Sequence, residues 1–211
     1  MSDPDALPEN PTPSTEEATR LRETGHIRGA RWCPSPNFGP RPEGTGISLL
    51  VIHNISLPPG QFGGPEIEDF FCNRLDASAH PFFQTIAGVE VSSHLLIRRD
   101  GSVIQFVNLH DRAWHAGRSS FEGREECNDY SIGIELEGTD HIPYTEAQYR
   151  QLATVAREIM AAWPEITQAR ITGHSDIAPG RKTDPGPAFD WSLFRAMVHS
   201  GRASGEAAEW S

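Results

Sequence analysis

Residues Ile47 to His53 read ISLLVIH, an apolar and largely β-branched run bounded by Gly46 on one side and by Pro58, Pro59 and Gly60 on the other. A stretch this short, closed by turn formers, specifies a buried strand. A buried strand obliges the chain to supply a sheet and the layers that cover it. Tyr130 to Gly138, YSIGIELEG, alternates so that Ile132, Ile134 and Leu136 point one way and Gly133, Glu135 and Glu137 the other. Val91 to Ile97 and Val103 to Val107 flank Asp100-Gly101, a dipeptide that closes an antiparallel hairpin. Arg170 to Thr172 adds a short strand.

Helical periods separate these strands. Pro65 to Leu75 places Ile67, Phe70, Phe71 and Leu75 on one face, with Pro65 in the first turn where a missing donor costs nothing. Thr145-Glu-Ala-Gln148 has capping-box spacing and opens a stripe of Tyr149, Leu152, Val155, Ala156, Ile159 and Trp163 that ends at Pro164. Trp191 to Val198, after Asp190, predicts a terminal helix. The order β, α, β-hairpin, β, α, β, α predicts an α/β (α+β) single domain with a central mixed sheet flanked by helices.

Length and charge bound the rest. With 211 residues and 37 % hydrophobic content, the chain suits one domain of about 28–199 with a sizeable core. Residues 1–27 are acidic and proline-containing and read as a flexible extension, and 200–211 read as a frayed tail. Arg28 to Glu43 is dense in proline and predicts an irregular segment wrapped across the core. A formal charge of −11 argues against nucleic-acid and anionic-membrane surfaces. Cys33, Cys72 and Cys127 are odd in number and widely spaced, which points to neither a disulfide framework nor a thiolate metal site. Lacking an apolar run near 18 residues or a basic-then-apolar leader, the chain is expected in the cytoplasm.

The densest chemistry lies in residues 172–191, TGHSDIAPGRKTDPGPAFDW. His174 offers an imidazole nitrogen and Asp184 a carboxylate, two ligands for a borderline cation such as zinc, with Pro179, Gly180, Pro185, Gly186 and Pro187 stiffening the loop between and beyond them. A lysine ammonium two residues before such a carboxylate, Lys182, suits a developing negative charge, the alternative for the stretch being a Pro/Gly-rich surface loop with a stray salt bridge. His53 at its strand end is the candidate third ligand, the alternative being a core-edge histidine bonded to a carbonyl. Glu135, on the face opposite the core, is either a solvated surface carboxylate or a general base aimed into a cleft. His80 and His94 read as structural or cleft-wall residues. Trp114-His115, flanked by Arg112 and Arg118, offers an aromatic face and polar donors suited to a sugar or peptide, the alternative being simple packing.

The strings LLVIHNISLPPGQFGGP, AHPFF, RAWHAG, NDYSIGIELEGTD and TGHSDIAPGRKTDPGPAFDW together resemble the AmpD-type N-acetylmuramoyl-L-alanine amidases. The likeness spans roughly residues 28 to 198. It implies that His53, His174 and Asp184 bind one zinc ion per chain, that Glu135 and Lys182 act on the scissile amide, and that Asn54, Trp114 and His115 contact sugar or peptide. It further implies a monomeric cytosolic recycling enzyme that cuts 1,6-anhydro-N-acetylmuramoyl peptides and lowers a signal for β-lactamase induction. The chain departs from the pattern in its N-terminal extension and in Glu90 and Glu126, which stand where basic residues would meet an acidic peptide stem. Two rival expectations are a peptidoglycan-binding receptor that has kept the fold and lost a ligand, and an exported amidase acting on intact wall.

Overall fold

A computed structural model describes residues 12–200. Its helices are α1 (Thr15–Thr24), α2 (Glu66–Phe71), α3 (Pro81–Thr85), α4 (Glu146–Ala162), α5 (His174–Ile177) and α6 (Trp191–Ser200). Its strands are β1 (Arg31–Trp32), β2 (Phe38–Gly39), β3 (Leu49–Ile55), β4 (Leu95–Ile97), β5 (Val103–Gln105), β6 (Arg112–Ala113), β7 (Ser120–Phe121), β8 (Arg124–Glu125), β9 (Ser131–Glu137) and β10 (Ile171–Gly173). Six of them form one mixed sheet in the order β1-β5-β4-β9-β3-β10, as the alternation of strand and helix patterns predicts. Only the β4–β5 pair is antiparallel. Its turn carries Gly101 at φ 85°, a conformation a side chain would strain, and Asp100 Oδ1 accepts the Ser102 amide at 2.9 Å.

The two faces of the sheet have different covers. Leu50, Ile52, Leu95, Ile97, Ile132, Ile134 and Leu136 pack with the apolar stripes of α4 and α6 in the largest core cluster. The α4 stripe forms as expected: Thr145 Oγ1 accepts the Gln148 amide, and Gln148 Oε1 accepts the amide of Thr145. On the opposite face, Leu49 and Val51 meet Ala116, Cys127, Tyr130 and Ile177, while Leu96 and Ile104 meet Phe70, Phe71 and Phe83 from α2 and α3. Both faces being covered, every residue of β9 is buried.

Several expectations need correction. The extension expected to be flexible over residues 1–27 contains α1, and Leu21 from α1 is 1 % exposed in the core shared with α4. Ser14 and Glu17 form a capping box, Gly25 closes the helix in the left-handed region, and Arg22 donates to the Ala162 carbonyl at 3.1 Å. These local signals outweigh the acidic, proline-containing composition around them. Residues 1–11 and 201–211 lie outside the described residues, including nearly all of the tail expected to fray.

The helix expected over 65–75 ends at Phe71, because Asn73 turns left-handed at φ 58° and exchanges amide hydrogen bonds with Asn37 at 2.8 and 2.9 Å. The segment expected to be wholly irregular, 28–43, adds β1 to the sheet edge and pairs β2 with β6. It also brings in Arg41, whose guanidinium donates to the carbonyls of Leu109, His110, Asn128, Asp129 and Ser131. Burial lowers its pKa to about 10. β3 runs two residues past His53. All three cysteines are free and buried. No helix among the described residues is long and apolar enough to cross a membrane.

Candidate metal centre

Strand register assembles the centre. In the parallel β3–β9 pair His53 is the partner of Glu135, and in the β10–β3 pair Gly173 is the partner of Ile52, so His174 follows at the level of His53. Side chains one residue apart on a strand leave opposite faces. His53 and Glu135 therefore leave the face that α4 does not cover. His174 opens α5, where Asp176 Oδ2 accepts the Gly173 amide at 3.0 Å and the Thr172 hydroxyl at 2.9 Å. The Ser175 amide donates to the Asp184 carbonyl at 2.9 Å, which ties the return of the 178–184 loop to the start of α5.

Three donor atoms meet at one point. His53 Nδ1 and His174 Nδ1 lie 2.9 Å apart, and Asp184 Oδ2 lies 3.1 Å from the first and 3.0 Å from the second. The far nitrogen of His174 lies 3.1 Å from the Ala116 carbonyl, an acceptor only, so in the neutral ring the proton sits on Nε2 and Nδ1 presents a lone pair. If His53 Nδ1 presents a lone pair as well, two imidazole nitrogens and a carboxylate converge without a donor between them and repel one another unless a cation lies among them. Two nitrogens, one oxygen and room for a further ligand suit zinc's tetrahedral preference.

Burial keeps His53 neutral, with a pKa lowered to about 4 even though Asp184 pulls it upward. Burial alone would raise Asp184, but the imidazoles of His174 and His53 against it hold its carboxyl well below the usual carboxylate range. Glu135 is not a solvated surface group: it is 8 % exposed, and its Oε2 has no hydrogen-bond partner among the described residues. Burial pushes its pKa well above the usual range; the Asp184 charge adds to this, while Lys182 opposes it. A buried carboxyl whose pKa is raised and whose Oε2 is left unbonded is a candidate proton-transfer group.

The group opens into a cleft of about 610 Å³ lined by Asn54, Trp114, His115, Glu135, His174, Lys182 and Asp184, with Phe70, Phe82, Ile86, Val89 and Val91 as an apolar wall. A small ligand with polar and apolar faces fits such a space. Lys182 is exposed at its edge. Asn54 lines the cleft while its amide nitrogen donates to Asp140 Oδ1 at 2.8 Å and to the Pro185 carbonyl at 3.1 Å. Trp114 is held by a hydrogen bond from its amide to Ser92 Oγ at 3.0 Å.

His115, expected to contact ligand, has both ring nitrogens engaged inside the protein, one 2.9 Å from His53 Nε2 and the other 3.0 Å from Ser131 Oγ. His94 and His80 are structural. His94 Nδ1 accepts the Gly133 amide at 3.0 Å, and His80 caps α3 by accepting the Phe82 amide at 3.1 Å. Sequence reasoning did not single out Asn128, Ser131 and Gly133, which surround His115. Ser131 and Gly133 share the alternating face of Glu135, and that period was the available signal.

The family model described as N-acetylmuramoyl-L-alanine amidase matches residues 43–187. The chain is 58 % identical over 178 residues to the 1,6-anhydro-N-acetylmuramyl-L-alanine amidase AmpD of Escherichia coli K12, covering 84 % of this chain and 97 % of that relative. A crystal structure of a selenomethionine AmpD derivative superposes with a TM-score of 0.81 at 56 % identity, covering 83 % of this chain and 97 % of the other. At 30 % identity and a TM-score of 0.53, covering 74 % of this chain and 60 % of the other, the fold is also similar to that of the amidase AmiD from E. coli. That enzyme was solved with the substrate anhydro-N-acetylmuramic acid-L-Ala-D-γ-Glu-L-Lys.

Proposed function

Because the chain belongs to the N-acetylmuramoyl-L-alanine amidase family and is an amidase of that kind, we propose that it uses zinc to hydrolyse the amide between the lactyl group of 1,6-anhydro-N-acetylmuramic acid and L-alanine. The observation that carries this reading is the convergence of His53 Nδ1, His174 Nδ1 and Asp184 Oδ2 beside the buried carboxylate of Glu135, whose Oε2 has no hydrogen-bond partner among the described residues. His53, His174 and Asp184 would hold the ion. Zinc held there supplies Lewis-acid chemistry, polarising a carbonyl oxygen and acidifying water toward neutral pH.

The protein's own groups do the rest. Glu135 takes a proton from the attacking water as its oxygen bonds to the lactyl carbonyl carbon, and the raised pKa makes it a competent base. When the carbon–nitrogen bond breaks, the same carboxyl returns that proton to the departing amine of L-alanine. Lys182, a cation at the cleft edge, stabilises the negative charge that gathers on the carbonyl oxygen. Asn54 holds the Asp140 loop against Pro185, and Trp114 presents its ring to the sugar or peptide.

Cytoplasmic recycling of wall fragments, with a consequent fall in the muropeptide signal for β-lactamase induction, belongs to the same reading. It rests on the likeness to the AmpD relatives rather than on the geometry. The test is to incubate the zinc-loaded protein with a 1,6-anhydromuramyl tripeptide and to identify the products by mass. Release of free tripeptide supports the proposal, and an intact amide after prolonged incubation overturns it.

A further inference from the structure

His115 lies in the cleft wall, yet its hydrogen bonds all point inward. If His53 Nδ1 is to face a cation, the proton of the neutral His53 ring must sit on Nε2. That atom lies 2.9 Å from His115 Nδ1, which must then accept, leaving the His115 proton on its own Nε2. There Ser131 Oγ accepts it at 3.0 Å. One orientation of the chain His53, His115, Ser131 is compatible with metal binding, and each ring in it is fixed by the next.

The surroundings hold His115 in that place. A Cβ on Gly133 would come within 2.5 Å of His115 Cγ, so the ring occupies a slot that exists because β9 has no side chain there. The slot is braced by Ser93 Oγ donating to the Gly133 carbonyl at 2.8 Å and by His94 Nδ1 accepting the Gly133 amide. Asn128 Oδ1 accepts the amides of both His115 and Ala116, at 3.1 and 2.8 Å. Ala116 in turn offers its carbonyl to His174 Nε2. Two consecutive residues thus set the orientation of both histidine ligands, one by side chain and the other by main chain.

We infer that His115 is a positioning residue of the metal centre: it accepts the Nε2 proton of His53, fixing the tautomer and ring plane that present Nδ1 to the ion, while Gly133 and Ser131 seat it. This rests on the assignment of His53, His174 and Asp184 as the zinc ligands. Partners of a ligand histidine's second nitrogen govern metal affinity as well as turnover.

The test is zinc affinity, measured by chelator competition on the folded protein, for the wild type, His115→Ala, His115→Asn and Ser131→Ala. The expected result is a loss of about 10- to 100-fold in His115→Ala, recovery of most of it in His115→Asn, whose amide oxygen can stand near the place of Nδ1, and a smaller loss in Ser131→Ala. Cobalt substitution adds a second readout, since the visible spectrum of His115→Ala should differ from that of the wild type and that of His115→Asn should approach it. Should His115→Ala fail to fold, the loss in Ser131→Ala together with retention in His115→Asn carries the test. Wild-type affinity in both His115→Ala and Ser131→Ala, or an Asn variant as weak as Ala, overturns the inference while leaving the ligand assignment intact. A wild-type protein that binds no zinc overturns the ligand assignment itself, and the inference with it.

Discussion

His53 and Glu135 are register partners on neighbouring parallel strands, β3 and β9, and their side chains leave the sheet on the same face. The separation of the proposed metal ligand from the proposed proton-transfer group is therefore set by the interstrand spacing at the buried centre of the sheet, about 4.8 Å between backbones. Such a pair is preorganised by the fold rather than by a loop.

Metal dependence follows from the ligand set. Removing zinc with a strong chelator should abolish amide cleavage, and adding zinc back should restore it. His53→Ala should purify with little bound metal, because two remaining ligands cannot hold the ion well. Elemental analysis checks the metal, and full activity in the chelated protein would show that the reaction needs none.

A second expectation concerns α1. Leu21 is buried against α4, so Leu21→Ala should lower stability by about 2–5 kcal/mol and the melting temperature by roughly 5–15 °C. Thermal unfolding monitored by circular dichroism decides this. A change below a degree would mean that α1 contributes little to the core. Removal of residues 1–27 should cost at least as much.

How far the sequence could be read differs by element. The apolar run at 47–53, the alternation at 130–138 and the capped stripe at 145–163 are local patterns, and each formed its element as expected. His53, His174 and Asp184, which the fold brings together, could be picked out because a buried strand run and a proline-stiffened loop are local features too. Burial of Glu135 was not legible: alternation says which residues share a face but not whether that face is covered. Part of that face is covered by His115, set against Gly133 and Ser131 from the 112–130 region, which has no period to read. The engagement of His115 depends on an empty slot at Gly133 and a hydroxyl at Ser131, brought beside it only by the tertiary fold. In α1 the error ran the other way, since Ser14, Glu17 and Gly25 are readable caps that composition overshadowed.

The raised pKa of Glu135 carries a stability consequence. A carboxyl whose folded pKa lies above its unfolded value of 4.5 contributes full protonation-linked stability below that value and loses it as pH rises through the folded pKa. In metal-free protein at pH 8, well above the unfolded value, burying this carboxyl is thus a cost, and Glu135→Gln should raise the melting temperature by roughly a few degrees. At about pH 3, well below the unfolded value, where the acid is protonated in both states, the difference should vanish. A Gln variant no more stable than the wild type at pH 8 would show that Glu135 is not destabilised by burial.

In the proposed mechanism Lys182 acts on a charge that appears only during reaction. Lys182→Ala should retain zinc and bind substrate with little change in KM, while kcat falls by about 10² to 10³. A rise in KM at constant kcat would instead place the ammonium on the bound substrate. Steady-state kinetics on the metal-analysed variant separates the two.

The most direct measurement pairs zinc content with turnover in Glu135→Ala, using a 1,6-anhydromuramyl tripeptide as substrate. The expected result is one zinc per chain, as in the wild type, with kcat lowered by about 10² to 10⁴. Turnover near the wild-type value at neutral pH, or a chain that has lost its zinc, would contradict the assignment of Glu135 as the proton-transfer group beside a site made of His53, His174 and Asp184.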